Sequence, residues 1–441
     1  MKEQKKIDFL KSILPQKILQ HLNRGNDEIL STTVSTPEHL DGFMSTIHKL
    51  EMTVKNSKDS REESFNLMVK VMKGDDAFRE RSKAIVQFSN EIFIYTEVLP
   101  QFTELLQSSG SSIKGDSWCP KVFYGAAGKF PEYSDQYETI LVMEDMKLNG
   151  FEAGPRNDLD ESHLTLMVKK IAQFHACTYA MKVNKDKNLD RLIEGIKPLE
   201  FVEGGKEFHS YAVLTRLGLE RVLEYIDKHP KELDSESFKC DMTKLRDKYG
   251  KAPVHLMQKL LERDEYSVIL HGDYNRNNVL FKYKDGKPVD LRMFDFQENR
   301  YATPAIDLAF FMCMSMPTGM RERLWDPLLR QYHESMTETL ITILKCKPDD
   351  EKLKPYTFEN FMQHFQRFGL YGGMIASHFL PWMLCPEDEC AQLAYYFAKD
   401  MDSPEMKHWT MVCGGEAVDK RLVEIFRHLS QLGYFAVVHN D

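Results

Sequence analysis

The sequence predicts an α+β protein of two unequal lobes, on three observations. Strand patterns crowd into roughly the first 145 residues. Long helical patterns take over after Asn149-Gly150, and one β-hairpin signal returns between residues 266 and 295. A chain of 441 residues exceeds the ~100–200 of a single domain, so more than one unit is expected. With 42% hydrophobic and 28% charged residues it can bury a large core, which excludes collagen-like, disulfide-framework and wholly disordered classes. Its 58 basic and 67 acidic residues leave a net charge of −9 without a long Lys/Arg block, so no nucleic-acid partner is expected.

Residues 1–22 thread charges between Phe9, Leu10, Ile13, Ile18 and Leu19, the pattern of an amphipathic helix lying on the protein's own surface rather than of a signal peptide. Residues 43–55 and 64–72 read as strands. In the second, Leu67 and Val69 face one side and Met68 and Lys70 the other, so replacing Lys70 is expected to spare the fold. Over 81–99, Ile85, Phe88, Ile92, Tyr95 and Leu99 recur at helical spacing, and Pro100 is expected to end that helix. Apolar runs at 121–126 and 139–143 supply two more strands, the second closing on Glu144-Asp145.

Helical periodicity then covers 160–182, most of 190–262, and everything from 305 onward. Short strands are expected at 266–270, 279–283 and 289–294, with Asp285-Gly286 as a hairpin turn. No run reaches the ~18–20 apolar residues of a membrane span. The nearest, Ala302 to Pro317, contains Asp307 and two prolines, so a cytoplasmic protein is expected. The eight cysteines are scattered, and Cys385 and Cys390 have no second pair at zinc-ligand spacing. Reduced thiols are the reading. His175, on the 160–182 helix, reads as a structural histidine, and the aromatic stripe of 355–399 as mostly core, with some members available to an apolar pocket.

The densest polar cluster is His271-Gly272-Asp273 followed by Asn277-Asn278, set between two strands. The hairpin then delivers Asp295-Phe296-Gln297, 22 residues beyond Asp273. A carboxylate to take an alcohol's proton and two hard oxygen ligands for Mg²⁺ are what phosphoryl transfer requires. The strand Leu67-Met68-Val69-Lys70 matches the V-A-I-K pattern, whose Lys reaches nucleotide phosphates. Glu91, 21 residues later on the helix, is the partner such an inward Lys needs.

The ordered set Lys70, Glu91, LVMED (141–145), HGDYNRNN, DFQ and PAIDL resembles the phosphotransferase branch of the protein-kinase-like superfamily, which includes aminoglycoside and choline kinases. Within it the chain is most similar to the insect ecdysteroid-kinase-like (choline-kinase-like) family, over roughly residues 40–430. The resemblance implies a two-lobed kinase-like fold, with a small antiparallel-sheet lobe (1–145) and a larger, mostly helical lobe (146–441). It implies ATP and Mg²⁺ as cofactors, Asp273 as catalytic base, and Asn278 and Asp295 as metal ligands. It also implies Lys70, steadied by Glu91, on the phosphates, and Met143, Glu144, Asp145 and Met146 as the adenine hinge. His271 and Asp307 become braces of the catalytic loop. The implied acceptor is a small lipophilic alcohol, ecdysteroid-like or a xenobiotic met in detoxification. A choline- or aminoglycoside-type kinase and a catalytically silent binding protein are the alternatives. Two departures stand out. The segment Asp41-Gly42-Phe43-Met44-Ser45-Thr46 has one glycine where a kinase shows three, leaving Ser45 and Thr46 to cover phosphate. Gln297 stands where Gly follows Asp-Phe, and no activation segment follows, so a protein substrate is not expected.

Overall fold

The computed structural model describes residues 2–37, 44–156, 158–202 and 210–440. Residues 41–43 of the single-glycine turn therefore lie outside the described residues.

The small lobe is a five-stranded antiparallel sheet, β1 (Glu28–Ser35), β2 (Ser45–Lys55), β3 (Glu62–Met72), β4 (Val122–Lys129) and β5 (Tyr137–Glu144), in the order β1-β2-β3-β5-β4. Strand β1 is an addition to the sequence reading. Its EILSTTVS alternates only between half-buried and exposed positions, as an edge strand can. One face of the sheet, with Leu50, Met52, Val54, Leu67, Val69 and Val142, packs on Phe9, Leu10, Leu14, Ile18 and Leu19. These last come from α1 (Lys2–Asp8), a π-helical turn and α2 (Leu14–His21), so the amphipathic N-terminus does lie on its own protein. Register gives the opposite face: Ile47, Lys70 and Leu141 form one row across three strands, and Lys49, Met68 and Met143 the next.

After α3 (Asp76–Arg81), α4 (Ala84–Phe93) runs through a π-helical turn at Ile94–Val98 into α5 (Leu99–Ser109). Pro100 does not end the helix. The π turn pairs the Leu99 N–H with the Ile94 carbonyl and resets the register, so Pro100 falls in the first turn of α5, where its missing N–H costs nothing. This long helix belongs to the core of the large lobe. Tyr95 meets Phe296 edge-on at 5.6 Å, and Phe102 meets Phe174 at 5.3 Å.

In the large lobe, β6 (Phe151–Ala153) precedes α6 (Glu161–Asn184), α7 (Asn188–Gly195), α8 (Ser210–Lys228), α9 (Glu236–Tyr249) and α10 (Val254–Leu260). Then come β7 (Val268–Ile269), the hairpin β8 (Val279–Lys284) and β9 (Lys287–Met293), and β10 (Tyr301–Ala302). At the hairpin tip Asp285 and Gly286 both take positive φ, 52° and 74°, the turn their dipeptide favours. Helices α11 (Ala305–Ser315), α12 (Thr318–Leu344), α13 (Phe358–Phe368), α14 (Leu370–Leu384), α15 (Glu387–Lys399), α16 (Pro404–Val412), α17 (Gly415–Gln431) and α18 (Ala436–His439) complete it. Every residue of α11 is buried, so the most apolar stretch is the centre of a helical core. Among the described residues no helix is long and apolar enough to cross a membrane.

Candidate active site

Four elements converge at the junction of the lobes. Strand β3 presents Lys70 on its cleft face, where Nζ lies 2.8 Å from Glu91 Oε2 of α4 and 3.0 Å from Asp295 Oδ1 beyond β9. The π turn that continues α4 meets the Asp295 segment through the Tyr95–Phe296 contact, which ties the Glu91 and Asp295 elements to one apolar core. Lys70 and Glu91 are almost fully buried, while Asp295 keeps 30% of its side chain exposed. Burial opposes the charge on Lys70, but Asp295 and Glu91 together outweigh it and hold the ammonium protonated. Glu91 is pushed up to about 7, because burial and the nearby Asp295 charge exceed the attraction of Lys70. Two carboxylates thus share one ammonium. This corrects the expectation that Lys70 is dispensable for folding, since its removal would strand the buried Glu91 beside the partly exposed Asp295.

The His271–Asn278 segment, expected as the catalytic loop, runs from β7 to β8. Asp273 accepts hydrogen bonds from Asn275 Nδ2 and Asn278 Nδ2, both at 2.7 Å. Its carboxyl is held well above the usual carboxylate range by burial and by the Asp295 and Glu298 charges, against the pull of the two amides. The loop hangs on Asp307 of α11, which accepts the backbone N–H of His271 at 2.9 Å and of Gly272 at 2.8 Å. His175 closes a relay, with Nε2 3.1 Å from Asp307 and Nδ1 2.9 Å from the Tyr332 hydroxyl. His271 donates from Nε2 to the Phe294 carbonyl at 3.0 Å, which fixes its tautomer, and burial lowers its pKa. Gly272 has φ +87°, and a Cβ there would fall 1.8 Å from the Glu298 carbonyl. No other residue fits that turn. Asp295 itself holds φ +67°, a conformation few non-glycine residues adopt and one that aims its carboxylate at the cleft.

The donor set fits a hard divalent cation. Asn278 spends its amide nitrogen on Asp273, which leaves Oδ1 as its acceptor, and Asp295 presents a carboxylate with one oxygen on Lys70. The triad's surplus negative charge favours a cation there.

The segment Met143–Met146, expected as the hinge, is more heavily committed to the fold than its motif suggests. The Glu144 N–H donates to the Lys121 carbonyl at 2.9 Å and the Asp145 N–H to the Asn66 carbonyl at 3.0 Å. The Asp145 carboxylate pairs with Lys49 at 3.3 Å and caps the short turn Met146–Asn149. Met143 faces the same side as Lys70, and Met146 is buried. None of the four lines the main cavity.

That cavity, of about 660 Å³, contains Ser45, Asp273, Asn278 and Asp295 at one end. Its other end is Phe201, Tyr211, Phe310, Tyr371, Phe379, Trp382 and Phe397. The aromatic stripe is thus divided: Phe361, Phe365 and Phe368 are core, Tyr395 is exposed, and Tyr371, Phe379, Trp382 and Phe397 line the cavity. Two residues escaped the sequence reading. Arg276, inside HGDYNRNN, lines the cavity with Nε and Nη1 lacking hydrogen-bond partners among the described residues. His378 on α14 lines it with both ring nitrogens likewise unpartnered, its pKa lowered by burial to about 3. Arg276 was visible within the motif. His378 sits in an apolar run with nothing to mark it.

A family model described as the ecdysteroid kinase-like family matches residues 39–345. No curated protein sequence matches the chain. Similar solved structures include the GDP complex of wild-type aminoglycoside 2'-phosphotransferase-IIIa, at 10% identity, covering 96% of this chain and 99% of that one with a TM-score of 0.37. A second is macrolide 2'-phosphotransferase MphH from Brachybacterium faecium, at 12% identity, 88% and 99% coverage and a TM-score of 0.34. A third is an aminoglycoside-3'-phosphotransferase of type VIII, at 17% identity, 78% and 98% coverage and a TM-score of 0.31.

Proposed function

The chain belongs to the ecdysteroid kinase-like family, and on that premise we propose that it transfers the γ-phosphoryl group of ATP to a hydroxyl of a lipophilic small molecule. The observation that carries this reading is one cavity with a phosphoryl-transfer residue set at one end and an aromatic wall at the other. Lys70, held protonated by Glu91 and Asp295, binds nucleotide phosphate oxygens. Asp295 and Asn278 Oδ1 would hold Mg²⁺, which when bound neutralises phosphate charge. Asp273 accepts the hydrogen bond of the acceptor hydroxyl and takes its proton as the oxygen attacks phosphorus. Burial and the Asp295 and Glu298 charges raise its affinity for that proton. Asn275 and Asn278 hold that carboxylate in place, and Asp307 holds the loop. Ser45 on β2 and Arg276 on the loop reach the same cavity from opposite lobes and are assigned to the phosphates. Met143–Met146 is retained as the adenine-side edge, with Met143 and Met146 as its contact residues, since Glu144 and Asp145 serve the fold.

A quaternary-ammonium or aminoglycoside acceptor would need free carboxylates beside the aromatics. Glu298, the carboxylate nearest the wall, is engaged by Tyr211 and Arg300, which favours the apolar acceptor. The complete set Lys70, Glu91, Asp273, Asn278 and Asp295 argues against a silent binding protein. The test is incubation of the pure chain with ATP, Mg²⁺ and a panel of steroids, plant glycosides and amino alcohols, with products read by mass spectrometry. Phosphorylated steroid or aglycone is expected. Phosphorylation of the amino alcohols alone would overturn the acceptor assignment, and no product from any acceptor would favour the binding protein.

A further inference from the structure

Away from the cleft's polar end, the fold brings Cys413 back to Cys385 and Cys390. Cys385 follows α14, Cys390 lies in α15 just after Glu389 of its first turn, and Cys413 follows α16. The Cys385 and Cys413 sulfurs and a Glu389 carboxylate oxygen all lie within 4.8 Å of one another. The Cys390 thiol adjoins Cys385, while Cys385 and Cys413 donate at 3.6 Å to the Trp382 and Pro381 carbonyls. Cys385 and Cys413 are buried. Among the described residues Glu389 has no ion-pair partner, and its carboxylate turns toward the two thiols, where it accepts the Gly414 N–H at 2.7 Å.

We propose that Cys385, Glu389, Cys390 and Cys413 form a structural zinc site. Zn–S bonds of about 2.3 Å and Zn–O bonds of about 2.0–2.2 Å place tetrahedral ligand atoms roughly 3.5–3.8 Å apart, so Cys385, Glu389 and Cys413 need contract only modestly around an ion, and Cys390, outside that group but beside Cys385, must turn inward to complete the set. A set of three thiols and one carboxylate selects zinc over the oxygen-seeking Mg²⁺ or Ca²⁺. Four protein ligands leave no open position, so the ion is structural rather than catalytic. Binding sends the three thiol protons to solvent and involves no oxidation. The site has its supporting hydrogen bond in place: Gly414 and Gly415 take consecutive positive φ of 73° and 61°, and the Gly414 N–H holds the Glu389 carboxylate.

The location supplies a reason for an ion. Helices α15 and α16 rest on a satellite cluster whose buried members, besides the two cysteines, are only Leu214, Leu393 and Met406. A metal joining the end of α14 to both helices would anchor them. It would also fix the Trp382–Phe397 edge contact, at 5.9 Å, which belongs to the aromatic wall.

The test is metal analysis of the full-length chain, purified without chelators and without a metal-affinity step, by inductively coupled plasma mass spectrometry. About one zinc per chain is expected, unchanged in Cys240→Ser, whose thiol is exposed and remote from the cluster, and lost in Cys385→Ser and Cys413→Ser. Because those variants can misfold, the parent chain is also stripped, reloaded with cobalt and examined for thiolate-to-cobalt charge transfer. A tetrahedral multi-thiolate spectrum supports the site. Parent protein that holds no zinc and takes up none from micromolar zinc chloride would overturn it, as would zinc retained in both serine variants. A Cys385–Cys413 or Cys385–Cys390 disulfide in freshly prepared protein would overturn it as well.

Discussion

The two ends of the cleft are built by opposite means. At the polar end, charge is buried and then compensated: one ammonium serves two carboxylates, and two amides serve Asp273. At the far end, seven aromatic side chains enclose the space, Glu298 there is engaged by Tyr211 and Arg300, and among the described residues His378 is buried without a hydrogen-bond partner. The first arrangement is costly unless every member is present. The second tolerates change, because each side chain contributes area rather than a specific partner. Substitutions at the polar end should therefore act through turnover or folding as units, whereas those at the far end should act through affinity in small increments.

The largest effect is expected for Asp273→Asn. Turnover should fall by about 10²–10⁴-fold, the range for loss of a general base, while acceptor affinity measured by calorimetry stays near that of the parent. Parallel loss of binding would mean that the hydroxyl end, not the aromatic wall, supplies the affinity. Lys70→Met should lower turnover within the same range and also destabilise the metal-free protein by about 3–5 kcal/mol, the cost of breaking a buried ion pair from one side. Glu91 has a raised folded pKa, so its favourable contribution is complete below its ordinary value of 4.5 and is lost as pH rises through about 7. The Lys70→Met defect in denaturant unfolding should thus be larger at pH 8 than at pH 6, and Lys70→Met/Glu91→Gln should recover part of it.

Asp295→Asn should weaken the Mg²⁺ requirement's apparent affinity by about 10–100-fold, read from turnover against Mg²⁺ concentration. Full activity at unchanged Mg²⁺ would remove Asp295 from the metal. At the far end, Trp382→Ala should raise KM for an apolar acceptor by about tenfold with kcat nearly constant, the equivalent of ~1.4 kcal/mol. Salt should have little influence on that KM. The smallest effect concerns His378, whose folded pKa of about 3 lies below its ordinary 6.5. Its contribution to stability is present above pH 6.5 and declines as pH falls toward 3, by up to about 1.4 kcal/mol per pH unit. His378→Leu should therefore flatten the acid side of the stability profile. An unchanged slope would show that this nitrogen is not buried neutral.

The amino-acid sequence by itself determined the lobes and the identity of the polar residues. Strand alternation and helical periodicity are local properties, and HGDYNRNN, DFQ and the Lys70 strand are short segments whose chemistry is written in adjacent positions. The spacing of Lys70 and Glu91 also follows from local order, a strand followed by the short α3 and then α4. What the tertiary structure decided involves partners remote in the chain, or geometry that propensity misses. Pro100 stays helical because a π turn shifts its register, and β1 exists because β2 offers it an edge. Asp145 is spent on Lys49, so half of the hinge motif serves the fold. The division of the aromatic stripe into core and cavity wall depends on which helix face meets α8 and α11, and the side chains themselves are the same on both. Cys413 reaches Cys385 only because α15 and α16 fold back on the end of α14, so their spacing in sequence carries no ligand signature. Motifs report chemistry that neighbours in the chain make together, and packing decides the chemistry that distant residues share.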